Sequence, residues 1–252
     1  MGGDDAIAKL DSALADLLIR SGFPAFWNKN VSDYRRWVKI LVSDLQSLAL
    51  SKRLDWAIGF SGLPTSTIHL VVAPGLYPVG TDTLDLIPQQ NHLDRYVLVR
   101  DLRLGSNDVQ LPSGTDLEYD LMTTLAMAIV FPATDNNSDL FRSLRLGQFF
   151  PPVEEAMSKE GVTTADGFIS RSIAYVVRVL GPLALLPGDN HKAMAIKSLK
   201  THDFYLTDFL IDQLEYYQTH RTDYPTISSF IPFLYRELDK QLTNLILEAS
   251  PK

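Results

Sequence analysis

An α+β fold, predominantly helical, is the class this sequence predicts. Three observations carry that expectation: apolar residues recurring at helical spacing near the start, a proline- and glycine-punctuated stretch with β-branched runs, and a long second half that returns to helical periodicity. Hydrophobic residues make up 46% and charged residues 21% of the 252-residue chain, an ordinary globular composition. A chain of this length buries roughly 70–75% of its unfolded surface and needs no covalent staple. It has no cysteine, which removes disulfides, thiolate nucleophiles and Cys-containing zinc sites.

The first element expected is a helix over 4–21, with Ile7, Leu10, Leu14, Leu17 and Leu18 on one stripe. Asp4 and Asp5 sit at its start, where the helix dipole favours negative charge. Gly22 and Pro24 are expected to stop it. A second helix is expected over 32–52, its stripe made by Tyr34, Trp37, Leu41, Leu45 and Leu48. Together they predict an N-terminal helical hairpin.

Residues 54–114 hold five of the 14 prolines and six of the 14 glycines. The runs Thr67–Val72 and Arg95–Val99 read as strands, and Tyr96–Leu104 with Asp108–Leu111 as a hairpin. A small antiparallel β segment is expected over about 54–114. Thr115-Asp116-Leu117-Glu118 has the capping-box pattern, so a buried apolar helix is expected to follow and to end at Pro132. Further helices are expected over 138–147, 152–160, 164–180, 190–201, 205–220 and 227–248, forming a C-terminal multi-helix half. No stretch between them is long or polar enough to be a linker. The expectation is one domain, 1–252, with a lobe over 1–114 and a helical lobe over 115–252.

Thirty acidic against 23 basic residues leave a net charge of −7, which argues against a chain-wide nucleic-acid or anionic-membrane surface. The N-terminus has two aspartates where a signal peptide carries positive charge, so a cytoplasmic, intracellular location is expected. No apolar run reaches the length of a transmembrane helix.

The motifs for dinucleotide binding, phosphate-loop binding, the nucleophile elbow and helical zinc ligation are absent. Gly59-Phe60-Ser61-Gly62 lacks the glycine two places after its serine, so it reads as a turn. The five histidines, at 69, 92, 191, 202 and 220, include no pair spaced for a helical metal site. No metal and no cofactor is expected. Asp189 and His191 are the most site-like pair, since a carboxylate beside an imidazole orients it for general-base work; the simpler account is that Asp189 or Asn190 caps the next helix and His191 lies in its first turn. Asp82 and Asp85 are a weaker carboxylate pair.

Charge is distributed unevenly. Residues 29–53 carry Lys29, Arg35, Arg36, Lys39, Lys52 and Arg53 against Asp33 and Asp44, a local +4, with Trp27, Tyr34 and Trp37 interspersed. Arg35, Arg36, Lys39, Lys52 and Arg53 are therefore candidate RNA contacts, although a solvated helix face gives the same pattern. From 203 to 252, eight acidic residues face four basic ones, and Tyr216, Tyr217, Tyr224, Phe233 and Tyr235 crowd the same region. Aromatics of this density serve interfaces as well as cores. Two function classes stay open. One is a non-enzymatic structural or assembly protein of the coat, nucleocapsid, matrix or adaptor type, self-associating or binding another protein, with RNA as a candidate partner. The other is a small-molecule enzyme using a His/Asp acid–base pair.

Overall fold

In the computed structural model, residues 15–16, 18–47, 50–62, 67–72, 81–86, 94–99, 103–104, 109–110, 114–183 and 189–249 are described. Side chains are described over 15–16, 18–40, 42–43, 52–53, 55–62, 121–181, 193–194 and 196–246. Most of the helix expected over 4–21 lies outside the described residues; 15–16 and 18–20 are helical. Gly22, at φ 72°, closes that helix.

The chain turns at Gly22 directly into α1, Phe23–Ser47. Pro24 was expected to separate two helices. It sits instead in the first turn of α1, where a proline lacks no needed donor and its fixed φ suits the helix. Helix α2 follows at Leu50–Ser61, where the β segment was expected to begin. Its inner face is Arg53, Ala57, Phe60 and Ser61, all buried, which is helical rather than alternating spacing.

The strands are short: β1 Thr67–Val72, β2 Thr81–Leu86, β3 Asp94–Val99, β4 Arg103–Leu104 and β5 Val109–Gln110. The antiparallel expectation is corrected here. The sheet order is β1-β3-β2, with β1 parallel to β3 and β2 antiparallel to it. The expected hairpin survives only as the two-residue pairing of β4 with β5.

The α+β class is itself overturned. Among the residues whose side chains are described, 84% are helical and none is in a strand, so the fold is all-α. Every described core residue comes from a helix or the turn beside one. Within the Pro/Gly-rich 54–114 stretch the described residues are the end of α2, the short strands β1–β5 and the first residue of α3.

Helix α3, Gly114–Asp135, is apolar nearly all round, with Leu121, Met122, Leu125, Ile129 and Val130 buried. It runs through Pro132 rather than ending there. An interior proline costs about 3 kcal/mol. Burial of Ile129 and Val130, each worth about 1.5–3 kcal/mol, offsets that cost. A turn at Asn136-Asn137 leads to α4, Ser138–Ser143, to 3₁₀ segments Arg145–Phe149 and Pro151–Val153, and to α5, Glu154–Lys159. Then come α6, Ala165–Leu183, α7, Asp189–Thr201, α8, Thr207–Thr219, and α9, Ile227–Ala249.

Helices α3 and α6 form the central pair. Ser170 Oγ donates to Thr134 Oγ1 (2.9 Å) and Arg178 Nη1 to Thr123 Oγ1 (3.1 Å), contacts whose order shows that the helices run antiparallel. Phe168 on α6 stacks between Phe204 and Tyr205, and the Tyr205 hydroxyl donates to the Phe149 carbonyl at 2.7 Å. Arg145 donates from its backbone N–H and guanidinium to Asp239, tying the 3₁₀ segment to α9. One hydrophobic cluster runs from Ala57 to Leu245, so α2, placed by sequence in the N-terminal lobe, shares its core with the C-terminal helices. Among the described residues no helix is long and apolar enough to cross a membrane.

Gly62 and Gly161 both adopt positive φ, 66° and 75°. A Cβ on Gly62 would lie 2.1 Å from the Pro225 carbonyl oxygen, whereas one on Gly161 meets nothing within 4 Å. Gly161→Ala is therefore expected to cost about 1–2 kcal/mol, the left-handed penalty alone. Gly62→Ala should cost about 2–4 kcal/mol, because backbone must also move. Urea unfolding of the two variants checks the difference.

Candidate interaction surfaces

Two surfaces stand out, and both begin with helical periodicity. On α1, Phe23, Trp27, Tyr34 and Trp37 follow at spacings of four, seven and three, which is one stripe of a helix. Their rings contact in series, with centroid separations of 6.2, 5.4 and 4.9 Å. This stripe is amphipathic in the usual way, but its N-terminal half is not buried. Phe23 is 42% exposed, Phe26 51% and Trp27 42%. Val38, Ile40 and Val42 are also exposed. Isolated exposed apolar side chains are normal; a contiguous aromatic set on one helix marks a contact surface.

The predicted cationic patch divides. Lys29, Arg35, Arg36, Lys39 and Lys52 are exposed. Arg36 pairs with Asp33 at 3.8 Å, an exposed i,i+3 pair worth about 0.3–0.5 kcal/mol. Arg53 is 5% exposed, and burial pushes its guanidinium pKa down. It belongs to the inner face of α2 and not to a solvent-facing patch. Its place three residues after Leu50 and four before Ala57 was the signal that sequence reading passed over.

The second surface is the tip where α8 turns into α9. Of the aromatic residues singled out there, Tyr217 and Tyr235 are wholly buried, so they are core. Tyr216 is 37% exposed, and Tyr224 and Phe233 are half-buried. These three pack on one another at 5.4–6.4 Å, and the His220 ring stacks on Tyr216 at 3.7 Å. Sequence reading missed His220 as part of this group; its i,i+4 spacing from Tyr216 was the available signal. Asp212, Glu215 and Asp223 are exposed nearby in sequence and Glu237 is half-buried. Tyr224 is pushed above its ordinary pKa, first by desolvation, then by Tyr216 and by the negative charge of Asp223 and Glu237.

Local hydrogen bonds hold the tip in place. The Thr226 N–H donates to Ser229 Oγ and the Ser229 N–H to Thr226 Oγ1, both 3.1 Å, a reciprocal cap at the start of α9. Arg221 donates to the Phe60 carbonyl (2.6 Å) and the Pro225 carbonyl (2.7 Å) and lies over the Tyr217 ring at 4.5 Å. The Tyr217 hydroxyl donates to the same Phe60 carbonyl at 2.8 Å. These contacts border an open cavity of about 330 Å³ lined by Trp56, Gly59, Phe60, Gln218 and Arg221.

Asp189 and His191 fall in the first turn of α7, but their side chains lie outside the described residues, as do those of Asp82, Asp85, His69 and His92. Among the described residues, the cavity lining contains no carboxylate or imidazole. His202 Nδ1 and His220 Nδ1 each lie within 2.9 Å of a carbonyl one turn back, of Ser198 and Tyr216 respectively. Among the described residues no group of three metal-ligating side chains converges. Compared with known family models, with characterised proteins and with solved structures, the chain matches none.

Burial pushes the Tyr217 hydroxyl up to about 12, with Arg221 partly opposing, and burial raises Tyr205 and Tyr235 as well. A phenol raised above its unfolded value of about 10 stabilises the fold fully below that pH. That contribution is lost as pH climbs from about 10 through about 12. Tyr217→Phe should cost about 1 kcal/mol at neutral pH, with the Phe60 carbonyl still held by Arg221. It should also make the alkaline decline of urea stability shallower; an unchanged alkaline profile would contradict this role.

Proposed function

We propose that this chain is a non-enzymatic structural or assembly protein that works by self-association, with α1 as the element that docks. The exposed aromatic run Phe23, Phe26 and Trp27 supports this reading most directly. Burying an aromatic side chain removes about 150–250 Å² from water. A helix that leaves three such rings in solvent is incompletely packed by its own chain. A partner surface would complete its amphipathic pattern.

The reverse side of α1 supports a second reading, contact with RNA. Lys29, Arg35, Arg36 and Lys39 are exposed there, and a run of cations on one helix face suits a single-stranded phosphate backbone. Such binding would weaken steeply with salt. Reversing Arg35, Arg36 and Lys39 to Glu should flatten the plot of log affinity against log salt by about 2–3 units, one cation per released counterion. Unchanged affinity in fluorescence anisotropy with a single-stranded RNA would remove these side chains from any RNA contact.

Self-association is tested by light scattering on nucleic-acid-free protein. The wild-type chain is expected to exceed monomer mass at low salt. Phe26→Glu with Trp27→Glu should weaken association by at least about 30-fold, the loss of a central aromatic anchor, while far-UV circular dichroism stays helical. A wild-type monomer at high concentration would refute the reading.

A further inference from the structure

We infer that the cavity between α2 and the end of α8 binds a small planar aromatic carboxylate, a role that does not depend on self-association. Its two walls are built alike. Trp56 and Gly59 stand three residues apart on α2, and Gln218 and Arg221 three apart at the end of α8 and in the turn after it. Residues at that spacing share one side of a helix, so each element presents one pair to the cavity. Phe60 adds to the lining, and the volume is about 330 Å³. That is the small end of the range for ligand cavities and suits a molecule of one or two rings.

Gly59 shows that the space is kept open. It lies inside α2, where glycine weakens a helix because the unfolded chain gains freedom from it. At Gly62 and Gly181 the surrounding packing demands the missing side chain. A Cβ would fall 2.1 Å from the Pro225 carbonyl oxygen at the first and 2.7 Å from the Trp56 ring at the second. At Gly59 a Cβ would meet nothing within 4 Å, and this glycine is not among those with positive φ. Neither packing nor backbone conformation asks for glycine there. What its bareness provides is room beside Trp56.

Arg221 supplies the charge. It donates to the Phe60 and Pro225 carbonyls at 2.6 and 2.7 Å, and its guanidinium carbon lies 4.5 Å from the centre of the Tyr217 ring. A guanidinium has five N–H groups, so these contacts orient the group without using all its donors or cancelling its charge. Among the described residues no carboxylate pairs with it. Its planar fork matches a carboxylate, and one cation balances one negative charge, which favours a carboxylate over a phosphate dianion. Trp56 is half-buried and stacks on Phe60 at 5.0 Å, so part of its ring remains open to a second aromatic ring. Contacts between such rings add to the gain from burial alone. The exposed Gln218 amide can donate to the same carboxylate. The described lining offers no acid, base or nucleophile, so binding is the role assigned to it.

Naphthoate is the probe. Titrated into the isotope-labelled full-length chain, it is expected to shift the amide resonances of Trp56, Gly59, Gln218 and Arg221 in a saturable way. Two controls separate the contributions: naphthamide, neutral and of the same shape, and cyclohexanecarboxylate, an anion without an aromatic ring. Each should bind at least about 10-fold more weakly, the loss of one charge-assisted contact or one ring contact. Naphthyl phosphate should also bind more weakly than naphthoate. Gly59→Leu fills the cavity from an exposed position. It should abolish binding while thermal stability holds or rises, since leucine is the better helix former. Gln218→Glu, likewise at an exposed position, sets a carboxylate of the chain's own three residues from Arg221 and should weaken naphthoate binding at least about 10-fold. Tighter binding of the phosphate, equal binding of either control, shifts confined to other residues, or undiminished binding in either variant would overturn the proposal. So would the lack of any saturable shift up to the solubility limit of naphthoate.

Discussion

The packing of α3 against α6 is the constraint on which the remaining structure depends. Both helices are largely apolar, and side chains such as Val130, Phe168, Ile169 and Ile173 reach 0% exposure. An interior that dense tolerates polar atoms only when they are hydrogen-bonded. The Ser170–Thr134 hydrogen bond is therefore both satisfied and registering. It fixes which turn of α6 lies on which turn of α3. Near the other end of the pair, a Cβ on Gly181 would lie 2.7 Å from the Trp56 ring. The absence of that side chain leaves room for the Trp56 ring of α2, itself stacked on Phe60, to pack against α6.

The surfaces follow from that frame. Phe60, carried by α2, presents its carbonyl to both Tyr217 and Arg221, and so the tip of α8 and α9 is anchored to the N-terminal part of the chain across more than 150 residues of sequence. A surface held by such contacts is ordered before it meets anything, and order of that kind lowers the cost of any binding. Helix α1 is built differently. Its aromatic rings order one another along a single helix, and its N-terminal half lies outside the core.

Periodicity was most legible where it ran longest. The expected helices over 164–180, 205–220 and 227–248 match α6, α8 and α9 to within a few residues. Two prolines misled in opposite ways: Pro24 opens a helix that it was expected to precede, and Pro132 lies inside one that it was expected to end. A proline is a local cost, and packing around it decides whether the helix continues. Arg53 and Tyr217 show the complementary difficulty. A cation among cations and a tyrosine among tyrosines look alike in sequence, yet both are buried, since their helical phase is set by what α2 and α8 pack against.

By itself the sequence determined the helical periodicity of the chain, the absence of cysteine chemistry and the opposition between a basic start and an acidic end. These properties are local or additive, and neighbours in space cannot change them. Tertiary structure alone decided that the residues whose side chains are described are all-α and that β1 and β3 run parallel. It also decided which members of the basic and aromatic sets are presented to solvent: Lys29, Arg35, Lys39, Trp27 and Tyr216, and not Arg53, Tyr217 or Tyr235. The reason is physical: exposure belongs to a pair of packed surfaces, and a single chain's letters specify only one of them at a time.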